Sequence, residues 1–277
     1  RHPATLPIRP GPARKTTTAP AQPAEDGQIT FGGALSEPDV PVTELDAAFS
    51  WRIDRAAGAQ WLTMRVDHFG VVNGDGRIAL SGTYRSGGKG SGVVDLRGRI
   101  ERLQANRVWR YLPPELSEPV RRWVRDAFEA GTFEAVDARW RGDVREFPYR
   151  QAGDGSGQFR IGGKAKDVLF KYAPNWPTAH GVSGDLLFEG AAMKFTAERG
   201  SVLEVPLTGV RARIDDLADA RLELDGRASG DAAQFLKFIR ESPLADRIGE
   251  ATRPLVAQGA TVLDLSLKVP LAYPARS

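Results

Sequence analysis

Segment after segment of this chain places apolar residues at every second position, with polar or charged residues between them. Ile78, Leu80, Gly82 and Tyr84 alternate with Ala79, Ser81 and Thr83, and Val94, Leu96, Gly98 and Ile100 alternate with Asp95, Arg97 and Arg99. Val136, Ala138, Trp140, Gly142 and Val144 alternate with Asp137, Arg139, Arg141 and Asp143. The order returns at Phe159, Ile161, Gly163 and Ala165, and again at Leu222, Leu224, Gly226 and Ala228. Successive side chains of a strand point to opposite faces, so each segment predicts a half-buried strand with one apolar and one wet side. A glycine recurs in the apolar row, where it lets the sheet bend and is expected to leave space above it. Together these features predict a mainly β fold: a long, curved antiparallel sheet forming an open groove, or half-pipe.

Further strands are predicted at 29–35, 49–53, 62–66, 168–172, 182–188, 193–197, 210–214 and 263–269, the last with Leu263, Leu265, Leu267 and Val269 on one face. The glycine-rich tract 87–92 reads as a hairpin connection. Two helical insertions interrupt the strands, near 117–130 and 231–257. In the first, Ser117 is positioned to cap, Pro119 lies in the first turn and Gly131 just past the end. Val120, Trp123, Val124, Ala127 and Phe128 share one helical face. The second starts near Asp231 with Phe235, Phe238 and Ile239, and Ser242-Pro243 opens another short helix through Ile248. Residues 1–27, rich in Pro, Ala and Thr and without an apolar period, read as a flexible linker. Residues 28–277 then form one elongated β-groove section. About a dozen strands side by side make a sheet roughly 55 Å long, which must curl, split or close. A closed sandwich or barrel is the ordinary outcome, and a gutter open along one side is the other.

Composition narrows the function more than it names it. Lys and Arg number 38 against 35 Asp and Glu, interspersed along nearly every strand, so no basic footprint for nucleic acid is present. Cysteine is absent, which removes disulfides, thiol catalysis and cysteine metal sites. No apolar run is long enough to span a membrane as a helix. The chain opens at Arg1 with neither methionine nor an apolar leader, and it reads as an internal section of a longer protein. His2, His68 and His180 lack ligand spacing. His68 continues the parity of Leu62, Met64 and Val66 as a strand-end side chain, and His180 reads as a loop residue. The carboxylates alternate with Arg and Lys on wet faces, where they serve as cross-strand solubilising charges. Gly155-Ser156-Gly157 is a turn rather than a nucleophile elbow, and the tract around Lys89 lacks phosphate-loop spacing. No catalytic residue, metal or cofactor is expected. Trp140, Phe159, Phe170, Phe188 and Phe195 read equally as ordinary core, but the small residues repeated in the same rows remove volume that a packed core would fill.

Several short signatures stand in a telling order. Arg110-Tyr111-Leu112-Pro113, Arg122-Trp123-Val124, Ala130-Gly131 and Phe147-Pro148-Tyr149 form one block. Gly157-Gln158-Phe159, Tyr172-Ala173-Pro174-Asn175-Trp176-Pro177, Leu187-Phe188 and Met193 form a second, followed by Ser242-Pro243-Leu244 and the terminal leucine strand. From about Leu80 onward this order resembles the central region of YhdP-type proteins, large members of the AsmA-like family of Gram-negative envelopes. The resemblance implies a non-enzymatic section of a periplasmic bridge, anchored elsewhere in the inner membrane, that carries phospholipid between inner and outer membranes. Its partners would be phospholipid acyl chains, with docking proteins at either membrane met by other parts of the molecule. The residues expected to line the groove are Leu80, Leu96, Trp140, Ile161, Phe170, Leu186, Phe195, Ile214, Leu224 and Leu265. The competing expectations are a non-transporting structural or interaction β-sandwich and, last, a glycan-active enzyme with a carboxylate pair across a cleft.

Overall fold

Alternation along the chain becomes a meander in space. The computed structural model describes residues 15–19, 27–30, 35–37, 39–56, 59–87, 90–112, 118–150, 157–219, 221–252 and 254–270. Its strands are β1 (Lys15–Ala19), β2 (Gly27–Thr30), β3 (Asp39–Val42), β4 (Glu44–Ala56), β5 (Ala59–Val72), β6 (Gly76–Gly87) and β7 (Gly90–Gln104). They continue as β8 (Phe128–Asp143), β9 (Gly157–Phe170), β10 (Ala179–Glu189), β11 (Ala192–Val202), β12 (Val205–Ile214), β13 (Arg221–Asp231) and β14 (Ala260–Pro270). The helices are α1 (Glu118–Ala127), α2 (Ala232–Arg240) and α3 (Ala245–Thr252), and a 3-10 segment covers Ala105–Tyr111. One 12-stranded sheet runs β1, β4, β5 and then in chain order to β14, while β2 and β3 pair apart as a small ribbon. Every pairing is antiparallel, and β1 and β14 lie at opposite ends, so the sheet is open and not a barrel. Among the described residues no second sheet of comparable size covers it, which removes the sandwich architecture.

Residues 15–19, within the expected linker, pair with β4 from Lys15↔Trp51 to Ala19↔Ala47, and the rest of 1–26 lies outside the described residues. The proposed Ser117 cap also lies outside them. Helix α1 stops at Ala127, three residues short of expectation, because Phe128 starts β8 and stacks on its strand partner Phe170 at 5.3 Å. Gly131 is therefore inside a strand: its φ is +98°, and a Cβ there would lie 2.6 Å from the Val168 Cα.

The strands are longer than the uninterrupted alternation because bulges reset its phase. Segments 159–165 and 168–172, expected as two strands, make the single β9, joined through Asp167 at φ 50°. Ala165 and Val168 thus stay on one face, and both are buried. Ala135 (φ 49°) does the same between Phe133 and Val136, and Gly209 (φ 60°) between Leu207 and Val210. In β5 the slip falls between Val66 and Phe69. It turns His68 away from the row of Leu62, Met64 and Val66 and onto the charged face, where its Nε2 lies 2.8 Å from Asp46. The extra residue on one strand of each pair bends that strand and increases its twist, which curves the sheet.

The three α-helices and the Ala105–Tyr111 segment leave from one side of the sheet. The connections after β5, β7, β9, β11 and β13 emerge there, carrying the 3-10 segment, α1, α2 and α3. Here the core is thickest: Ala105, Phe133, Val136, Ala165 and Val168 form the buried cluster. A polar clamp ties the same side together. The Asp75 carboxylate, 8% exposed, accepts from Arg110 Nη1 and from the Tyr111 hydroxyl, each at 3.1 Å. Arg110 also pairs with Glu37 at 3.0 Å, and Ser36 N donates to Leu112 O. Burial pushes the Tyr111 hydroxyl up to about 12.

Candidate functional site

Strand register assembles the apolar rows into continuous tracks across the sheet. One runs Phe49, Val66, Gly82, Leu96, Trp140, Phe159 from β4 to β9. A second runs Ala47, Phe69, Leu80, Gly98, Ala138, Ile161, Phe188, Met193, Ile214 and reaches β12. The third runs Gly163, Leu186, Phe195, Ala212, Leu224, Leu267 to β14. Partners in register share a face, so these tracks form one apolar surface. It is only half covered. Phe49, Trp51 and Met64 are 36–37% exposed and Leu267 is 44% exposed, values that a second layer would bring near zero.

Nine of the ten expected lining residues are half-buried, and Ile214, at 3%, is buried. Leu80, Leu96, Trp140, Ile161, Leu186, Phe195, Ile214 and Leu224 lie on the three tracks, and Leu265 stands opposite Gly226 in β13. Phe170 is set apart at the helix-bearing side, under Trp123 of α1 at 6.0 Å. The indole N–H of Trp123 donates to Tyr172 O, so α1 braces that margin.

Glycine works otherwise than by leaving space. At Gly82 (φ +139°) a Cβ would stand 2.0 Å from the Asp95 carbonyl oxygen, so the neighbouring backbone occupies the gap. At Gly163 the Val136 side chain does so, 2.6 Å from the added atom. These glycines permit close, curled strand packing. The hollow exists because, among the described residues, no second sheet covers the face.

Reading one row at a time missed a cover on the opposite side. Between β8 and β9 the chain folds back so that Phe147 packs on Trp140 (5.6 Å) and edge-on to Phe159 (4.9 Å). The Trp140 indole N–H donates to the Tyr149 hydroxyl, which donates to Asp143 O. Two aromatics flanking a proline in a connection too long for a tight turn were the available signal.

The outer face is polar and internally paired. Arg99–Asp137, Lys164–Asp185, Arg213–Glu223 and Arg227–Asp264 bridge adjacent strands at 2.6–3.0 Å. Arg139 donates to Asp95 and holds that carboxyl below its usual range. Among the described residues no group of three or more His, Asp or Glu is placed to hold a metal ion, and no helix is long and apolar enough to cross a membrane.

A family model described as YhdP protein matches residues 19–275, nearly the whole chain. The chain belongs to the YhdP family. Comparison with curated proteins and with solved structures finds no match. The family match begins at the last residue of β1 and covers β4 to β14 completely, so all three apolar tracks lie within the family's shared region.

Proposed function

We propose that this chain is a section of a lipid-transfer bridge, in which the uncovered apolar face carries phospholipid acyl chains and the headgroups stay in water at the open side. One observation carries the reading: apolar tracks continuous over six to nine strands, most of whose side chains the protein itself leaves partly exposed. Burying a methylene is worth about 0.8 kcal/mol, so a chain of about sixteen carbons gains about 12 kcal/mol over water. That gain offsets what the lipid loses on leaving a bilayer, so movement along a uniform lining is nearly level in energy. A smooth track also avoids deep single pockets that would trap cargo. Family membership supports a place in the periplasm, in a protein anchored in the inner membrane and reaching the outer one. The reading involves no catalytic step.

The test replaces Trp140, Ile161 and Leu224 singly with Asp and quantifies co-purifying phospholipid. Folded variants should lose lipid, and retention at the parental level in all three refutes the assignment. A photo-crosslinker at Ile161 should capture lipid while one at Arg160, on the other face, should not; equal labelling at both also refutes it.

A further inference from the structure

A recess of about 670 Å³ opens on the helix-bearing side of the sheet, away from the tracks. Trp176 and Thr178 from the β9–β10 connection, His180 of β10, the Leu203–Glu204 turn and Glu241 at the end of α2 line it. Two exposed glutamates and a tryptophan therefore line one recess, and neither Lys nor Arg is among its lining residues. Lys237 approaches Glu241 only at 3.9 Å, on the exposed side of α2. Trp176 is fixed by two tilted ring contacts, with Tyr172 at 6.1 Å and Phe238 at 5.7 Å.

The turn that carries Glu204 has an uncommon backbone for its residues. Leu203 and Glu204 have φ of 48° and 66°, the paired positive values of a two-residue hairpin turn. Asn-Gly meets that geometry without strain, whereas Leu and Glu pay for it in stability. Side chains thus stand at a position where glycine would be easier, and one of them is a carboxylate at the rim of the recess.

We propose that this recess binds an organic ammonium group, with Trp176 offering its ring and Glu204 and Glu241 the counter-charge. A rigid aromatic with flanking carboxylates suits a weakly hydrated alkylammonium ion. A divalent metal ion would need grouped oxygen or imidazole ligands, which the described residues do not provide. The inference stands on the recess alone and does not require acyl chains on the tracks. An amine-bearing phospholipid headgroup and a free amine share this chemistry.

The test titrates the ¹⁵N-labelled chain with ethanolamine hydrochloride, against sodium chloride at matched ionic strength. Saturable shifts are expected at the Trp176 indole and the Leu203 and Glu204 amides. Glu204→Gly should weaken binding about tenfold while raising rather than lowering the melting temperature, and Trp176→Leu should weaken it comparably. Absence of a saturable shift overturns the proposal, as does unchanged affinity in a Glu204→Gly, Glu241→Gln double variant. Vesicles of phosphatidylethanolamine and of phosphatidylglycerol separate the sources. Preference for the former that depends on Glu204 assigns the site to a headgroup, and indifference alongside Glu204-dependent ethanolamine binding assigns it to a soluble amine. Lipid retention by the Trp140, Ile161 and Leu224 variants is a separate readout, so the two readings fail independently.

Discussion

Gly82 of β6 and Gly98 of β7 sit on adjacent strands of the same apolar surface and look alike in sequence, yet the structure predicts different responses to a single methyl group. At Gly82 the backbone has φ +139°, and a Cβ would lie 2.0 Å from the Asp95 oxygen and 2.9 Å from the Leu96 Cα. The backbone strain alone costs about 2 kcal/mol for a residue other than glycine. Relieving the contact means moving β6 from β7 by more than an ångström, which leaves a ladder group unsatisfied at about 2 kcal/mol more. Gly82→Ala should therefore cost about 4 kcal/mol, a large share of a typical folding free energy, and lower the melting temperature by about 10 °C. At Gly98 φ is not positive, and the added atom's one tight contact is the Ala138 Cβ at 3.3 Å, with Ala79 O at 3.7 Å and Leu80 Cδ1 at 3.9 Å in ordinary contact. Gly98→Ala should shift stability by less than about 1 kcal/mol. Urea unfolding followed by circular dichroism measures both, and lipid content of the purified variants adds a second reading. If the hollow arises from a missing layer, Gly98→Ala keeps parental lipid as well as stability. Equal midpoints for the two variants, or loss of lipid from a folded Gly98→Ala, would refute the account of how glycine shapes this face.

Two further outcomes test the supports on either side of the sheet. Asp75→Asn should cost about 3 kcal/mol, because it strips charge from a buried partner of Arg110, and more than Glu37→Gln, whose pair is better solvated; equal urea midpoints would contradict the clamp. On the opposite side Arg145, through its side chain and backbone N–H, holds the Asp143 carboxyl down to about 2 against an ordinary 3.8. Its contribution is thus complete above the ordinary value and lost as pH falls through about 2. Hydrogen-exchange protection of the Arg145 and Tyr149 amides should fall over that window, and Asp143→Asn should abolish the pH dependence; an unchanged profile in the variant would assign the effect elsewhere.

What could be read from the chain alone was local and periodic. A two-residue repeat commits each strand to one wet and one apolar face, because strand geometry leaves side chains no third direction. Short connections commit consecutive strands to antiparallel neighbours. That was enough for an open-ended meander, for most strand positions and for the side of the sheet on which Leu80, Trp140, Ile161 and Leu224 lie. It failed at His68 and Asp167, where a bulge reverses parity, because a bulge is stabilised by its neighbour strand and leaves only a skipped beat in the chain. It also failed at Phe128, whose helical spacing yields to stacking on Phe170. Gly82 and Gly98 are identical by pattern, and only the approach of Asp95 distinguishes them. The cover of Phe147 over Trp140 depends on a contact formed by a returning loop. Above all, alternation states that one face is apolar but not what lies against it. Whether that face meets a second layer or open space is a property of where the chain's other segments go, and here the helices gather along one margin and, apart from the Phe147 cover, leave the tracks open.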